Sequence, residues 1–234
     1  MSLLCLSLTL SAQPLRLGFG THKPPYVFEG EAKGLEYDIV VAALSRAGVA
    51  VAVQYAPMER LHLMLRRGQI DAIATTNELS GVSAFYSDAY IHYQNVAVAL
   101  SSRQLDIRQI EDLGRYSVHA FQRARFLLGP EFQQMAENNP RYREEAYQIA
   151  RNRMLYSGRV DVVVSDMRIL RYFNGQVYTQ VDVSQPLALY PIFAATAYKL
   201  GCSLERYCEL FNQGLVAIRA SGEYQAIERR YAMH

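Results

Sequence analysis

A six-residue pattern occurs twice in this chain. Gly68-Gln69-Ile70-Asp71-Ala72-Ile73 closes one helical stretch and opens an apolar, β-rich one, and Gly158-Arg159-Val160-Asp161-Val162-Val163 does the same 90 residues later. A helix, a glycine stop and a buried strand repeated at that separation suggest two similar α/β lobes, not a solenoid of short repeats. The chain has 234 residues, half of them apolar, which is enough to give each lobe a core.

The surrounding pattern supports an α/β class. Residues 15–19 read as a strand, broken by Gly20-Thr21-His22-Lys23-Pro24-Pro25, whose prolines forbid an immediate helix. Ile39, Ala43 and Ala47 predict a helix over 36–47 stopped by Gly48; Val49, Val51, Val53 and Tyr55 alternate as a strand. A second helix over 58–67 ends at Gly68, and 70–74 reads as a buried strand. The apolar segment 95–102 and the stretch 185–193 are the candidate crossings between lobes. They place lobe one at 15–98 and 188–234 and lobe two at 99–187. Two amphipathic helices finish the chain, through Leu204, Cys208, Phe211, Leu215 and Ile218 and then through Tyr224, Ile227 and Tyr231. A cleft between lobes joined by two strands is a hinge, the architecture of a ligand clamp.

Charge excludes several partners. The 24 basic and 22 acidic residues give a formal +2, and no basic block is longer than two residues, so nothing asks for nucleic acid or an anionic membrane. Residues 3–10 form an apolar run too short to span a bilayer. With Ser11-Ala12-Gln13-Pro14 behind it, residues 1–14 read as a signal-peptide remnant or a tag, and the alternative is a buried first strand. Leu4 stands where a lipoprotein signal has a small residue, so Cys5 does not suit lipid attachment. Cys202 and Cys208 then remain; in an oxidising compartment they can pair, and their spacing leaves this open. His22, His62, His92, His119 and His234 are scattered, without metal-ligand spacing.

Six segments, in order, resemble the periplasmic solute-binding proteins of the polar amino-acid uptake type, bacterial extracellular solute-binding protein family 3. They are Pro24-Pro25-Tyr26-Val27-Phe28, Gly34-Leu35-Glu36-Tyr37-Asp38-Ile39, Gly68-Gln69-Ile70-Asp71-Ala72-Ile73, Tyr86-Ser87-Asp88-Ala89-Tyr90, Ile110-Glu111-Asp112-Leu113 and Ala220-Ser221-Gly222-Glu223-Tyr224. The resemblance implies a type II periplasmic binding fold, two α/β lobes joined by two crossing strands. It further implies a periplasmic protein that takes a small polar ligand to the membrane permease of an ABC transporter, with no cofactor and no catalysis; a hinge that must close makes a monomer the default.

An amino-acid ligand brings a carboxylate, an ammonium and a side chain into a closed cleft where unpaired charge is costly. The family is expected to hold the carboxylate with a lobe-one arginine just before the Phe-Ser-Asp segment. Here residues 68–102 contain no Arg or Lys, so that clamp is absent. Asp166 matches the family's ammonium acceptor and is equally a helix N-cap ahead of Met167. Gln122 and Arg123 stand where the family has a hydrogen-bonding turn. Arg123, or Arg125, is a candidate replacement cation facing Asp166 in the cleft, or a solvated side chain. Met58 takes the place of an aromatic wall residue and can equally be core; Lys23 takes that of an opening tyrosine; Tyr26 is a candidate apolar lid. Thr75, Thr76 and Asn77 end the strand that opens on the cleft. Arg60 either reaches the cleft or pairs with Glu59.

No Gly-x-Ser-x-Gly, His-Glu-x-x-His or phosphate loop is present. A ligand-sensing domain for a receptor is the alternative function. An enzyme of this fold resembling cyclohexadienyl dehydratase would have only Glu78 or Asp166 as acid or base.

Overall fold

The computed structural model describes residues 13–232. Apart from Gln13 and Pro14, the leader expected at 1–14 lies outside the described residues, as does His234. In chain order the elements are β1 (Leu15–Phe19), α1 (Leu35–Arg46), β2 (Val51–Tyr55), α2 (Met58–Arg66), β3 (Ala72–Thr76), β4 (Phe85–Tyr86) and β5 (Ile91–Tyr93). They continue with β6 (Asn95–Leu100), β7 (Val118–Phe121), α3 (Ala124–Leu127), α4 (Pro130–Asn138), β8 (Tyr142–Glu145), α5 (Gln148–Tyr156), β9 (Val162–Asp166), α6 (Met167–Val177) and β10 (Leu187–Tyr190). The last are β11 (Thr196–Cys202), α7 (Glu205–Ala220) and α8 (Glu223–Arg230).

Two sheets form, one per lobe. The first runs β2-β1-β3-β11-β4, with β5 pairing β11; the second runs β10-β6-β9-β7-β8. β1 is parallel to both β2 and β3, and β7 to both β8 and β9, as helical crossovers require. β11 returns antiparallel to β3, and β6 lies antiparallel to β9. The chain passes from the first sheet to the second at Gln94 and returns between β10 and β11. All of β6 and β10 therefore sit in the second sheet, a few residues from the crossings read at 98 and 188. β6 is buried along its whole length, and such a run carries no alternation to show which side of a hinge it occupies.

The repeated pattern plays one structural part in both lobes. Gly68 and Gly158 end α2 and α5 in the left-handed region, at φ +65° and +67°. The aspartate three residues on then ties the turn to the neighbouring strand. Asp71 accepts from the Arg16 backbone at 2.9 Å and pairs its guanidinium at 2.7 Å. Asp161 accepts from the backbone and hydroxyl of Ser117 at 2.9 and 2.8 Å.

Lobe one is closed by the C-terminal segment. Cys202, at the end of β11, is disulfide-bonded to Cys208 in α7, which resolves the pairing left open by their spacing. α7 packs on α1 at Gly214, where a Cβ would come within 1.8 Å of the Ala43 carbonyl oxygen; only glycine lets the two backbones approach so closely.

Candidate functional site

The site begins with the loop between β1 and α1. Gly34 opens α1 at φ +136°, and a Cβ there would lie 2.2 Å from the Tyr26 carbonyl oxygen. α1 can therefore start directly under the 23–28 segment, which buries Glu36 of its first turn completely. Four donors converge on that carboxylate. Lys23 Nζ lies 2.6 Å from Oε2, Tyr93 Oη donates to the same oxygen at 2.8 Å, Thr75 Oγ1 donates to Oε1 at 2.7 Å, and the Tyr90 hydroxyl also donates to Oε1. Burial pushes the Glu36 carboxyl up, but the Lys23 ammonium and the hydrogen bonds from Lys23, Tyr90 and Thr75 outweigh it and hold the group below the usual range. Burial pulls the Lys23 ammonium down, opposed by the charge of Glu36. Thr75 sits at φ +60°, rare for a β-branched residue; its N–H donates to Tyr90 Oη at 2.9 Å and its hydroxyl lies between Lys23 and Glu36.

Above this cluster the lobes enclose a small cavity of about 60 Å³. Lobe one lines it with Gly20, Thr21, Lys23, Met58, Thr75 and Tyr93, and lobe two with Phe121, Gln122, Gln148, Arg151 and Asp166. Asp166 ends β9 and caps α6, accepting from Arg168 N at 2.9 Å and Ile169 N at 3.4 Å through Oδ1, and from Gln94 N at 3.2 Å through Oδ2. The Tyr26 hydroxyl reaches it from lobe one. Burial pushes the Asp166 carboxyl above its ordinary value, against these hydrogen bonds. Thr21 Oγ1 donates to the Ala146 carbonyl at 3.0 Å, and the His22 ring meets Tyr172 and Phe173 of α6 at 5.9 and 6.0 Å between centroids, so the lobes are in contact around the cavity.

The residues expected from sequence divide. Met58, Thr75, Gln122 and Asp166 line the cavity. Tyr26 is not a lid but is buried behind the wall, stacked on Tyr93 at 3.8 Å with its hydroxyl on Asp166. Thr76 points into the core of lobe one, since alternate strand positions face opposite ways. Asn77 caps the turn after β3 and donates to the Ala197 carbonyl at 3.1 Å; it faces a separate groove between Leu79 and Ile192. Arg60 is exposed and does not take Glu59 as partner; Arg123 does, at 2.9 Å.

Arg123 does not line the cavity, and so does not face Asp166 there. Its backbone turns left-handed at φ +67°, its N–H donates to Glu144 at 2.7 Å, and its guanidinium reaches across to Glu59 and the Ser80 carbonyl of lobe one. It is a bridge over the mouth of the cleft. Arg125 is exposed on a shallow groove beside Arg143 and Glu144. Glu78 pairs with Lys199 at 2.5 Å away from the cavity, which leaves Asp166 as the only one of the two acids considered for catalysis that touches it.

The match to known proteins agrees with this architecture. The model of the bacterial extracellular solute-binding proteins, family 3, matches residues 15–234. The chain belongs to that family. No curated protein matches it by sequence. Among solved structures it resembles the arginine-, lysine-, histidine-binding protein ArtJ from Geobacillus stearothermophilus, with TM-score 0.75 and 16% identity over 94% of this chain and 95% of the other. It also resembles a histidine kinase sensor domain with similarity to periplasmic binding proteins, with TM-score 0.77 and 18% identity over 94% and 96%. An ancestral amino-acid-binding protein that is a precursor of cyclohexadienyl dehydratase aligns with TM-score 0.70 and 18% identity over 93% and 95%. At these identities the likenesses establish the type II periplasmic binding fold.

In this family 3 chain the sequence reading missed Glu36, Tyr93, Gln148 and Arg151. Glu36 was visible only as part of a helix-start motif; Lys23 only as a departure from an expected tyrosine. That the two meet depends on the turn closed by Tyr26 and Gly34, a contact with no local signature. Arg151 sits on a helix, Gln148–Tyr156, whose apolar and polar residues are too mixed around its axis to announce which face is buried. Among the described residues no helix is long and apolar enough to cross a membrane, and no group of three or more metal-ligating side chains forms.

Proposed function

We propose that this protein captures a small polar ligand, an amino acid or a close relative, between its lobes in the periplasm and delivers it to the permease of an ABC-type uptake system. The cavity carries the reading: it is walled by both lobes, and buried charges of both signs, Lys23, Arg151 and Asp166, lie on its surface. Such a wall favours a ligand that brings both signs and pairs them. Asp166 takes the ammonium in this reading, while Tyr93, Thr75 and Gln122 supply polar contacts. The protein works as a monomer whose lobes close over the ligand, and no catalysis is involved.

A thermal-shift screen against amino acids, polyamines, small organic acids and short peptides tests this. A ligand at a hundred times its dissociation constant adds roughly 2.7 kcal/mol to stability. The expected result is a shift with at least one amino-acid-like compound, recovered chemically unaltered. Conversion to a product would mean an enzyme, and no shift with any compound would overturn the reading. Capture of a receptor kinase instead of a permease by the loaded protein would favour the sensing role suggested by the sensor-domain likeness.

Arg123→Ala removes a bridge across the mouth and leaves the cavity wall intact. It is expected to speed ligand release several-fold, the scale of a partly exposed ion pair at about 1 kcal/mol or less. Selectivity among ligands should stay unchanged in stopped-flow measurements; altered selectivity would return Arg123 to the ligand.

A further inference from the structure

Arg151 is a buried cation with most of its hydrogen-bonding capacity unused. Its side chain lies in α5 of lobe two and is 1% exposed. One bond is made, from Nη1 to the Val164 carbonyl at 2.6 Å, while Nε is buried with no partner. A guanidinium carries five N–H donors in a planar fork, and among the described residues no carboxylate comes within ion-pair distance of this one. Burial lowers its pKa to about 10, which leaves it charged at neutral pH. Natural proteins seldom leave a buried charge unmatched, because the desolvation cost falls with nothing to offset it.

The surroundings point to what would match it. Arg151 lines the cavity, and so does Gln148, one helical turn before it, whose Oε1 is also buried without a partner. Val164, whose carbonyl Arg151 holds, is two residues before Asp166 on β9, so the guanidinium is anchored on the strand that Asp166 ends, and the Arg151 and Asp166 side chains both line the cavity. Lys23 is already matched by Glu36. The wall therefore carries one cation and one anion without an ion-pair partner, both on lobe two; Glu145 acts on Arg151 only from beyond ion-pair distance.

We infer that Arg151 receives the carboxylate of the ligand, whose ammonium goes to Asp166, so that the ligand class is an amino acid or similar zwitterion gripped by its head group on lobe two. This rests on the binding reading above and deepens it. It also accounts for the missing arginine in residues 68–102: the cation that would sit on lobe one is supplied from the opposite wall. The ligand's remaining part then points toward Met58 and Thr75 of lobe one.

The test uses calorimetry on the full chain with the standard L-amino acids, their α-carboxamides and the corresponding decarboxylated amines. The wild-type protein is expected to bind at least one acid about tenfold or more tightly than its carboxamide, the scale of a charge-assisted hydrogen bond. Arg151→Met should lose that preference, and Arg151→Lys should keep part of it. The ligand-free Arg151→Met protein should melt no lower than the wild type, because an unmatched buried charge has gone; a merely structural arginine would lower the melting point and leave the preference alone. If Arg151→Met fails to fold, the wild-type ratio of acid to carboxamide and the Arg151→Lys ratio carry the test. Equal affinity for acid and carboxamide, or a preference that survives in the variants, would overturn the inference. Binding of amines or carboxamides without that preference would overturn it and leave ligand capture standing, whereas no binding of any probe would remove both.

Discussion

Glu36→Ala is expected to destabilise the protein by about 3–5 kcal/mol, the cost of removing one partner of a buried ion pair. The loss does not come from one contact. Lys23 would remain, 6% exposed, without its counter-charge, and the hydroxyls of Tyr90, Tyr93 and Thr75 would lose their acceptor. Lys23→Met combined with Glu36→Gln should recover much of the loss, because it removes both charges while keeping one side-chain acceptor among the hydroxyls. Chemical denaturation followed by circular dichroism measures both. A loss below about 1 kcal/mol in Glu36→Ala would show that the pair is not what holds the loop against α1, since that is the level of an exposed pair. The pH dependence has a definite sign. The folded protein holds the Glu36 carboxyl below its ordinary value, so this stability is complete above the unfolded carboxylate's pKa and is lost as pH falls through the depressed one.

That cluster also shows what could be read from the sequence. Strand and helix positions in lobe one follow from local patterns: the alternation in Val51–Tyr55 and the glycine stops at Gly48 and Gly68 put each element within a residue or two of its observed bounds. The two-lobe architecture was legible because the helix, glycine and strand repeat encodes a local turn tied by Asp71 and Asp161, and local turns leave local signatures. The site is different. Asp166 and Thr75 were found because they end strands, where this fold places its cleft. Arg123 stayed open between cleft and solvent because charge type and chain position cannot tell a side chain that turns inward from one that reaches across the mouth to Glu59, 64 residues away. Arg151 went unnoticed for the converse reason: on a helix that also bears Arg153, only packing against β9 selects which one is buried.

Asp166→Asn separates the two roles of that residue, and its expected effect is a loss of about 2–5 kcal/mol in ligand binding, the range for truncating one side of a buried charged contact. Asparagine caps a helix as well as aspartate does. The bonds from Arg168 and Ile169 to Oδ1 can therefore persist, and the contact from Gln94 to Oδ2 is lost, while the Tyr26 hydroxyl keeps a polar partner. Thermal midpoints of the ligand-free variant should stay close to wild type while affinity collapses; a variant that loses stability but keeps affinity would make Asp166 a cap alone. The pH profile gives a second reading with the sign opposite to that of Glu36. Burial raises the Asp166 carboxyl above its ordinary value, so the ligand-free fold gains stability from this group as pH falls through the raised value and the carboxyl takes up a proton. A ligand ammonium requires the ionised form, and protons therefore compete with it. Wild-type affinity should fall by about tenfold per pH unit below that raised value. Asp166→Asn should flatten this limb of the profile; a limb that survives the substitution would assign the titration to another group on the wall.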